Sequence, residues 1–386
     1  MFIGAIGAIE RSVFEAASLD GVNRWQQYKY IIWPNIKKIF YINLLLSAVS
    51  SLSEFDLPFA IASGGANGTA TYMTLICRIA FTERKIGLAS TGNANGLVYN
   101  KKVFRDAGIT ELPKTPLEFI EALKRIKERT NAIPLYTNYA DEWPMSSWDA
   151  YMGINATGEA EYINQRIIHE KDPFSNKGDS THPYSVYKIL YDAVSMGLTE
   201  PDYTTTSESL CYGMINNGDI GCLAFGSWAV AQAQAAGNNP GDIGFMPFPI
   251  TVNEKQYVSI NGDYSYGINK KSSANNKIAS MLYVKWLIHE SGFDYSEGGL
   301  SVLKGGKNPD FYDILDGCEV LEDASAKHGE ENYFDLLNRE TGLLFNAKGQ
   351  SIVEHAFKGD KSFDGIMREW NQLWAKAQDK HNIIVN

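Results

Sequence analysis

The chain of 386 residues is 44% hydrophobic and 12% aromatic, which suffices for packed cores in two or three domains and excludes a disordered polymer. Its formal charge of −10 is unevenly spread: residues 1–90 hold eight basic and six acidic side chains, the remainder 27 basic and 39 acidic. An acidic main body disfavours non-specific nucleic-acid binding, and no nucleic-acid motif accompanies it.

Common catalytic and metal signatures are missing as well. The four cysteines, at positions 77, 211, 222 and 318, form no CxxC pair and read as small buried hydrophobes. The histidines form no HxH or HExxH pattern, and there is no P-loop, GxGxxG or GxSxG. LKGGKNP, residues 303–309, lacks the upstream glycine of a phosphate cradle and reads as a turn. No metal, cofactor or catalytic residue is therefore expected.

Taken in order, the chain opens on an apolar stretch, FIGAIGAI, without the preceding basic residues of a secretory signal and too short to span a bilayer. Within residues 15–40, EAASLDGVNRWQQYKYIIWPNIKKIF, Ala16, Ala17 and Leu19 form a small apolar surface and Gly21 supplies a permissive helix end, which by itself reads as a surface helix with a glycine stop. Residues 39–52 are about 14 mostly apolar or small residues, open between a core helix and a membrane span on length alone. Extended to Ala62 the stretch could cross a membrane, with Glu54 and Asp56 facing protein or a pathway. In that case Arg11, Arg24, Lys29, Lys37 and Lys38 place the preceding segment in the cytoplasm and Gly64 outside.

From Thr91 the pattern is α/β, and it follows residue 90 without a linker-like composition. A strand is expected at Gly96–Tyr99, then a helix opened by a Thr115/Glu118 capping box with an apolar stripe at Phe119, Leu123 and Ile126. Residues 133–137 read as a strand, followed by NYADEWPMSSWDAYM, a loop carrying Trp143 and Trp148 among acids. A helix is expected over 184–196, a strand over 220–225, and a helix from AVAQAQAA. Gly226 and Ser227 break the last two, so Trp228 sits on a strand-to-helix turn and faces either the core or a cleft. Further helices are expected at 279–289 and 363–381, with Trp370 and Trp374 on the core face of the latter.

Two resemblances organise these elements. Residues 15–40, with the Glu15-Ala16-Ala17 triplet, Asp20-Gly21 and Pro34, resemble the EAA loop of ABC-importer permeases, with Lys38 where many relatives have proline. Phe55-Asp56 and Gly64-Gly65 resemble the FD pair and GG loop of the same family. The blocks NGLVYNKKVFRDAGI (95–109), PKTPLEFIEALKRIKE (113–128), NGDIGCLAFGSWAVAQ (217–232), IGFMPFP (243–249) and NGDYSYGINKKS (261–272) resemble, in order and spacing, the family 1 extracellular solute-binding proteins of carbohydrate importers.

The resemblances imply a permease fragment over 1–90, containing one membrane span, joined at Ser90/Thr91 to an N-terminally truncated binding protein over 91–386. The implied fold is a two-lobed, type II periplasmic-binding-protein-like α/β body with one lobe incomplete, preceded by an α-helical membrane fragment. The strand at Gly96–Tyr99 and the segment with Asp263 and Tyr264 would then cross between lobes. The implied function is oligosaccharide binding and uptake without catalysis, at the cell membrane, with 91–386 on the extracytoplasmic side. A sugar site needs aromatic faces and polar or acidic hydroxyl partners. Trp228, Trp143 and Tyr264 are the candidate faces, and Asn95, Asp141, Glu142 and Asp263 the candidate partners. Glu15, Ala16, Ala17 and Gly21 would face an ABC ATPase beside a partner permease. Two alternatives stay open: a truncated or chimeric reading frame without transport function, and a glycoside hydrolase using Asp141 and Glu142 across ~5–9 Å.

Overall fold

A computed structural model describes Val13, Ala17, residues 22–34, Lys37 and residues 88–385 apart from 270 and 345. The chain divides into two compact units, Met1–Gly87 and Leu88–Asn386.

In the first unit, Asn23 and Gln26 exchange side-chain to backbone hydrogen bonds at 3.0 and 2.9 Å, which opens the short helix Arg24–Gln27. It runs into a wider π-type turn at Tyr28–Ile32. Ala17 is buried and its carbonyl accepts from the Val22 amide at 3.0 Å. Glu15, Ala16, Gly21, Cys77 and the expected span at 39–62 lie outside the described residues. Among the described residues, no helix is long and apolar enough to cross a membrane.

The second unit is mixed α/β and built on two sheets. One strand path enters both: β1 (Leu88–Ala94) pairs antiparallel with β6 (Tyr257–Tyr266), and after Asn95 the chain continues as β2 (Gly96–Asn100), antiparallel to β4 (Ile220–Leu223) and β5 (Ile243–Pro247). With β3 (Ile133–Tyr136) parallel to β4, the second sheet runs β3-β4-β2-β5, while the first runs β1-β6-β7, where β7 is Glu319–Glu322. Asn95 is thus the point of passage, held by its amide on the Ser259 carbonyl at 2.9 Å. Ser90 and Thr91, the expected seam, lie within β1. Asp263 and Tyr264 lie within β6, opposite Thr91 and its neighbours, rather than on the return passage itself, which occupies the residues between β5 and β6.

The helices form where the sequence patterns require. The capping box of Thr115 and Glu118 opens Pro116–Arg129, whose Phe119, Leu123 and Ile126 are fully buried beside β3. Each such side chain contributes roughly 1.5–3 kcal/mol of burial. The expected helix at 184–196 begins two residues earlier, at His182, with Pro183 in its first turn. Trp370 and Trp374 are buried in Phe363–Lys380, their rings edge-on to Phe174 at 5.4 and 5.6 Å. Trp148 is also core. Cys211 and Cys222 are buried as expected, and burial pushes the Cys211 thiol up to about 12. Cys318 is only partly covered, because it closes a helical turn at the surface edge of β7.

Candidate functional site

Parallel β3 and β4 end on the same side of their sheet, which is where open α/β sheets leave a crevice. β4 is followed by Phe225, Gly226 and Ser227, and Trp228 is the first residue of the helix Trp228–Ala235. A Cβ on Gly226 would lie 2.8 Å from both Cδ1 and Nε1 of Trp228, so only glycine lets the indole fold back over this turn. Ser227 is wholly buried; its hydroxyl accepts from the Ala94 amide at 2.9 Å and from the Tyr312 hydroxyl at 2.6 Å. The turn carrying Trp228 is therefore fastened to β1, next to the passage between the sheets.

Trp143 reaches the same place from the loop after β3. That loop bends at Asn138 and Glu142, with φ of 57° and 60°, in the left-handed region that non-glycine residues seldom enter. The loop is anchored three times, twice by its backbone and once by a side chain: Thr137 donates its amide to Glu200 at 3.0 Å, Ala140 donates its amide to the Thr206 hydroxyl at 2.7 Å, and the Asp141 carboxylate accepts from the Glu208 amide. Asp141 thereby caps the helix Glu208–Asn217 at its positive end. The Tyr139 hydroxyl donates to Glu354 at 2.6 Å, and burial together with that carboxylate raises its pKa.

The rings meet in one cluster. Trp143 stacks on Phe225 at 5.5 Å and 6°, Trp228 lies 5.7 Å from Trp143 and 5.1 Å from Phe225, and Tyr212 stands 6.2 Å behind Phe225. Phe225 is buried whereas Trp143 is 43% exposed and Trp228 partly exposed, so the buried phenyl backs two indoles that keep accessible surface. Such a wall can take the C–H face of a ring-shaped ligand. Glu142, exposed beside Trp143, is available to solvent hydroxyls.

The remaining candidates belong to the other sheet or to the passage. Asn95 donates through Nδ2 to the Ser259 hydroxyl at 2.8 Å, which donates to Asn155 Oδ1 at 2.7 Å. Asn155 closes the loop by donating to the Asn95 carbonyl at 3.0 Å, so one N–H of the Asn95 amide fastens the passage and the second N–H and Oδ1 are what it can offer a ligand. Asp263 accepts from Asn93 Nδ2 at 2.6 Å and from the Tyr264 amide at 2.7 Å. Tyr264, 45% exposed, directs its hydroxyl to Glu297 at 3.2 Å and its ring edge-on to Phe293 at 5.0 Å. Burial and Glu297 raise its pKa.

The structure thus brings Trp143 and Trp228 together and keeps Asp263 and Tyr264 on β6. Sequence reasoning missed Phe225, Asn93 and Glu297 as partners. Phe225 closing the apolar run before Gly226 was the one available signal, since Asn93 and Glu297 acquire their roles through pairings across 170 and 33 residues. Two cavities of about 410 and 400 Å³ lie elsewhere, lined by Asn100, Arg129 and Asp242 and by Lys127, Glu200 and Phe357 respectively, and no candidate residue lines either.

The family model of bacterial extracellular solute-binding proteins matches residues 80–292, and that of the inner membrane component of binding-protein-dependent transport systems matches residues 1–81. Among solved structures, a manno-oligosaccharide-specific solute-binding protein of Bifidobacterium animalis subsp. lactis, in complex with mannotriose, is 48% identical with a TM-score of 0.71, over 76% of this chain and 70% of that one. The diacetylchitobiose binding protein of Streptomyces coelicolor is 29% identical over 218 residues, 54% of this chain and 45% of the relative. A probable ABC transporter permease protein of Brucella suis is 32% identical over 91 residues, 23% of this chain and 32% of the relative. The chain therefore spans less than half of the length of either of these two curated relatives.

Proposed function

The chain belongs to the bacterial extracellular solute-binding proteins, and from that premise we propose that it binds an oligosaccharide for import by an ABC transporter and performs no catalysis itself. The observation that carries this reading is the paired indoles of Trp143 and Trp228, backed by Phe225 at the carboxyl ends of parallel β3 and β4. The 48% identity to a protein solved with mannotriose supports a mannose-type oligosaccharide as the first ligand to try. Asn95, Asp141, Glu142, Asp263 and Tyr264 complete the proposed site. The two sheets correspond in this reading to the two lobes of a type II binding fold, with Asn95 at a crossing and the ligand held between lobes.

Residues 1–90 are, in the same proposal, a permease fragment with one span, Glu15, Ala16, Ala17 and Gly21 its ATPase-facing surface, and residues 91–386 a binding-protein body outside the membrane with one lobe incomplete. The large apolar side chains exposed on the helix Ala274–His289 favour that incompleteness. A truncated or chimeric frame accounts for the same feature, and long-read sequencing across codons 90 and 91 separates the two. The hydrolase alternative is weakened because the Asp141 carboxylate is already engaged by the Glu208 amide.

The test is calorimetric titration of mannobiose, mannotriose and diacetylchitobiose, with tryptophan fluorescence in parallel. Binding is expected, and Trp228→Ala is expected to cost about 0.5–1.5 kcal/mol beyond lost area, the usual worth of an aromatic contact. Binding unchanged by Trp228→Ala would assign the indole to packing and end the site assignment. Turnover of a chromogenic glycoside would favour the hydrolase. Recovery of the full chain from the detergent-free soluble fraction would remove the membrane fragment from the proposal.

A further inference from the structure

Side chains of the proposed site stand beside two different sheets, and one buried phenol reaches the chain segments that place both groups. Tyr312 is 4% exposed and belongs to the helical segment Asp310–Gly317, which packs against β5. Its oxygen lies 2.6 Å from the Ser227 hydroxyl and 3.0 Å from the Gly298 carbonyl. Ser227 immediately precedes Trp228. Gly298 immediately follows Glu297, whose carboxylate accepts from the Tyr264 hydroxyl at 3.2 Å. A phenylalanine would pack against Phe311 and Phe245 as well as this tyrosine does, so what the hydroxyl adds is the junction.

The Gly298 side of the junction is fitted to the helix that Trp228 begins. Gly298 has a φ of 72°, and a Cβ there would lie 2.8 Å from that of Ala231, three residues beyond the indole on Trp228–Ala235. Leu300 and Gly92 then exchange backbone hydrogen bonds at 2.7 and 2.8 Å, which fastens the same stretch to β1. At its start, Phe293 stands edge-on to Tyr264 at 5.0 Å. Residues 293–300 thus form a strap that touches the Tyr264 ring, the Trp228 helix and β1 in turn. Tyr264 needs such support, because its φ of 48° puts a bulky residue of a strand in the left-handed region, a conformation that persists where the surroundings impose it.

We propose that Tyr312 is a positioning residue of the oligosaccharide site: through Ser227 and the strap 293–300, its hydroxyl couples the placement of Trp228 to that of Tyr264, a coupling that rests on the reading of both rings as ligand contacts. Without the hydroxyl, the buried Gly298 carbonyl loses its donor and the strap is released from the Trp228 helix. Trp228 keeps its contact with Phe225, and Tyr264 keeps its contact with Phe293. What is lost is their common reference.

The experiment labels the full chain with 5-fluorotryptophan and records fluorine NMR spectra without sugar, Trp228→Phe identifying the Trp228 resonance. Tyr312→Phe is expected to shift or broaden that resonance and to leave those of Trp370 and Trp374 in place. Tyr264→Phe, at an exposed position, is expected to move the Trp228 resonance in the parent and not in the Tyr312→Phe background. In calorimetric titration with mannotriose, Tyr312→Phe is expected to weaken binding about fivefold, the usual worth of one hydrogen bond. In a chain already carrying Trp228→Ala the loss should shrink below about twofold, since the two changes act through one contact. A Trp228 resonance unmoved by Tyr312→Phe overturns the proposal. So does one that moves together with those of Trp370 and Trp374, which marks general loosening, a response to Tyr264→Phe that survives loss of the Tyr312 hydroxyl, or an affinity loss that persists undiminished without Trp228. Should Tyr312→Phe fail to fold, Tyr264→Phe decides alone: a displaced Trp228 resonance supports the coupling and an indifferent one refutes it. The spectra involve no sugar, so a parent chain that binds no mannotriose ends the ligand reading and leaves the positioning result standing.

Discussion

A methyl group added at Gly226 would approach the Trp228 ring to 2.8 Å and the Ala94 carbonyl to 3.3 Å, and Ala94 cannot yield because its amide is bound by Ser227. The indole must swing away instead. Gly226→Ala is therefore expected to weaken oligosaccharide binding roughly tenfold or more, about 1.4 kcal/mol, with ~1–3 kcal/mol lost from stability through overpacking. Calorimetry and urea denaturation read the two effects separately, and unchanged affinity would mean the indole is no part of the site. Glu200 presents a different single-residue problem. It is buried, and desolvation raises its pKa although Thr137 donates to it from both amide and hydroxyl. Ionisation thus costs more in the folded than in the unfolded chain. Its contribution to stability is greatest below the ordinary carboxylate pKa and declines as pH rises through the raised folded value. Glu200→Gln keeps an acceptor for the Thr137 amide, so the variant should melt higher than the parent at pH 7, the difference vanishing towards about pH 4. A lower melting temperature at every pH would refute the buried-charge argument.

Between elements, one buried polar fastening is Lys348. Its ammonium is completely buried and donates to Asp149 at 2.7 Å and to the Leu343 carbonyl at 2.8 Å, while the Tyr187 hydroxyl donates to the other Asp149 oxygen at 2.5 Å. Three helices, Ala347–Lys358, Ser147–Ala150 and His182–Ser195, meet on that carboxylate. Lys348→Ala leaves the carboxylate without its cation and should cost ~3–5 kcal/mol, read as a lower urea midpoint at unchanged slope. A cost under 1 kcal/mol would show that water replaces the ammonium. Neither Lys348 nor Asp149 is conspicuous in the sequence, where each is one charge among many. Elements whose signals are local were legible there: the Thr115/Glu118 box, the Phe119-Leu123-Ile126 stripe, and the β4-to-helix break at Gly226. β1 was not, because LASTGNA has no alternation and only Leu88 as a large apolar residue, and it becomes a strand through pairing with β6 about 170 residues away. The aromatic cluster was half legible for the same reason. Trp143 and Trp228 could each be named, but their meeting depends on β3 lying parallel to β4.

Across the second unit as a whole, burial is shared unequally between the two sheets. Phe363–Lys380 seats Phe363, Ile366, Met367, Trp370, Trp374 and Ala377 in the core that flanks β3 and β4. Ala274–His289, beside the three-stranded sheet, buries Leu287 and Ile288 and leaves Ile278, Met281, Leu282, Tyr283 and Trp286 exposed. Local opening free energy follows buried apolar contact, so the two helices should belong to different cooperative units. With several large side chains in the core on one side and two on the other, at roughly 1.5–3 kcal/mol each, the difference amounts to several kcal/mol before chain entropy is counted. Native-state hydrogen exchange should therefore show amides of Ala274–His289 exchanging on the order of a hundredfold faster than those of Phe363–Lys380, with a shallower dependence on denaturant because less surface is exposed on opening. The strand path through Asn95 connects the two regions, so loss of the weaker one need not unfold the stronger: Ser227, Ala94 and Tyr312 hold the end of β1 against the four-stranded sheet. Equal protection in both helices would mean that the exposed stripe costs the fold nothing and that the second unit opens as one body.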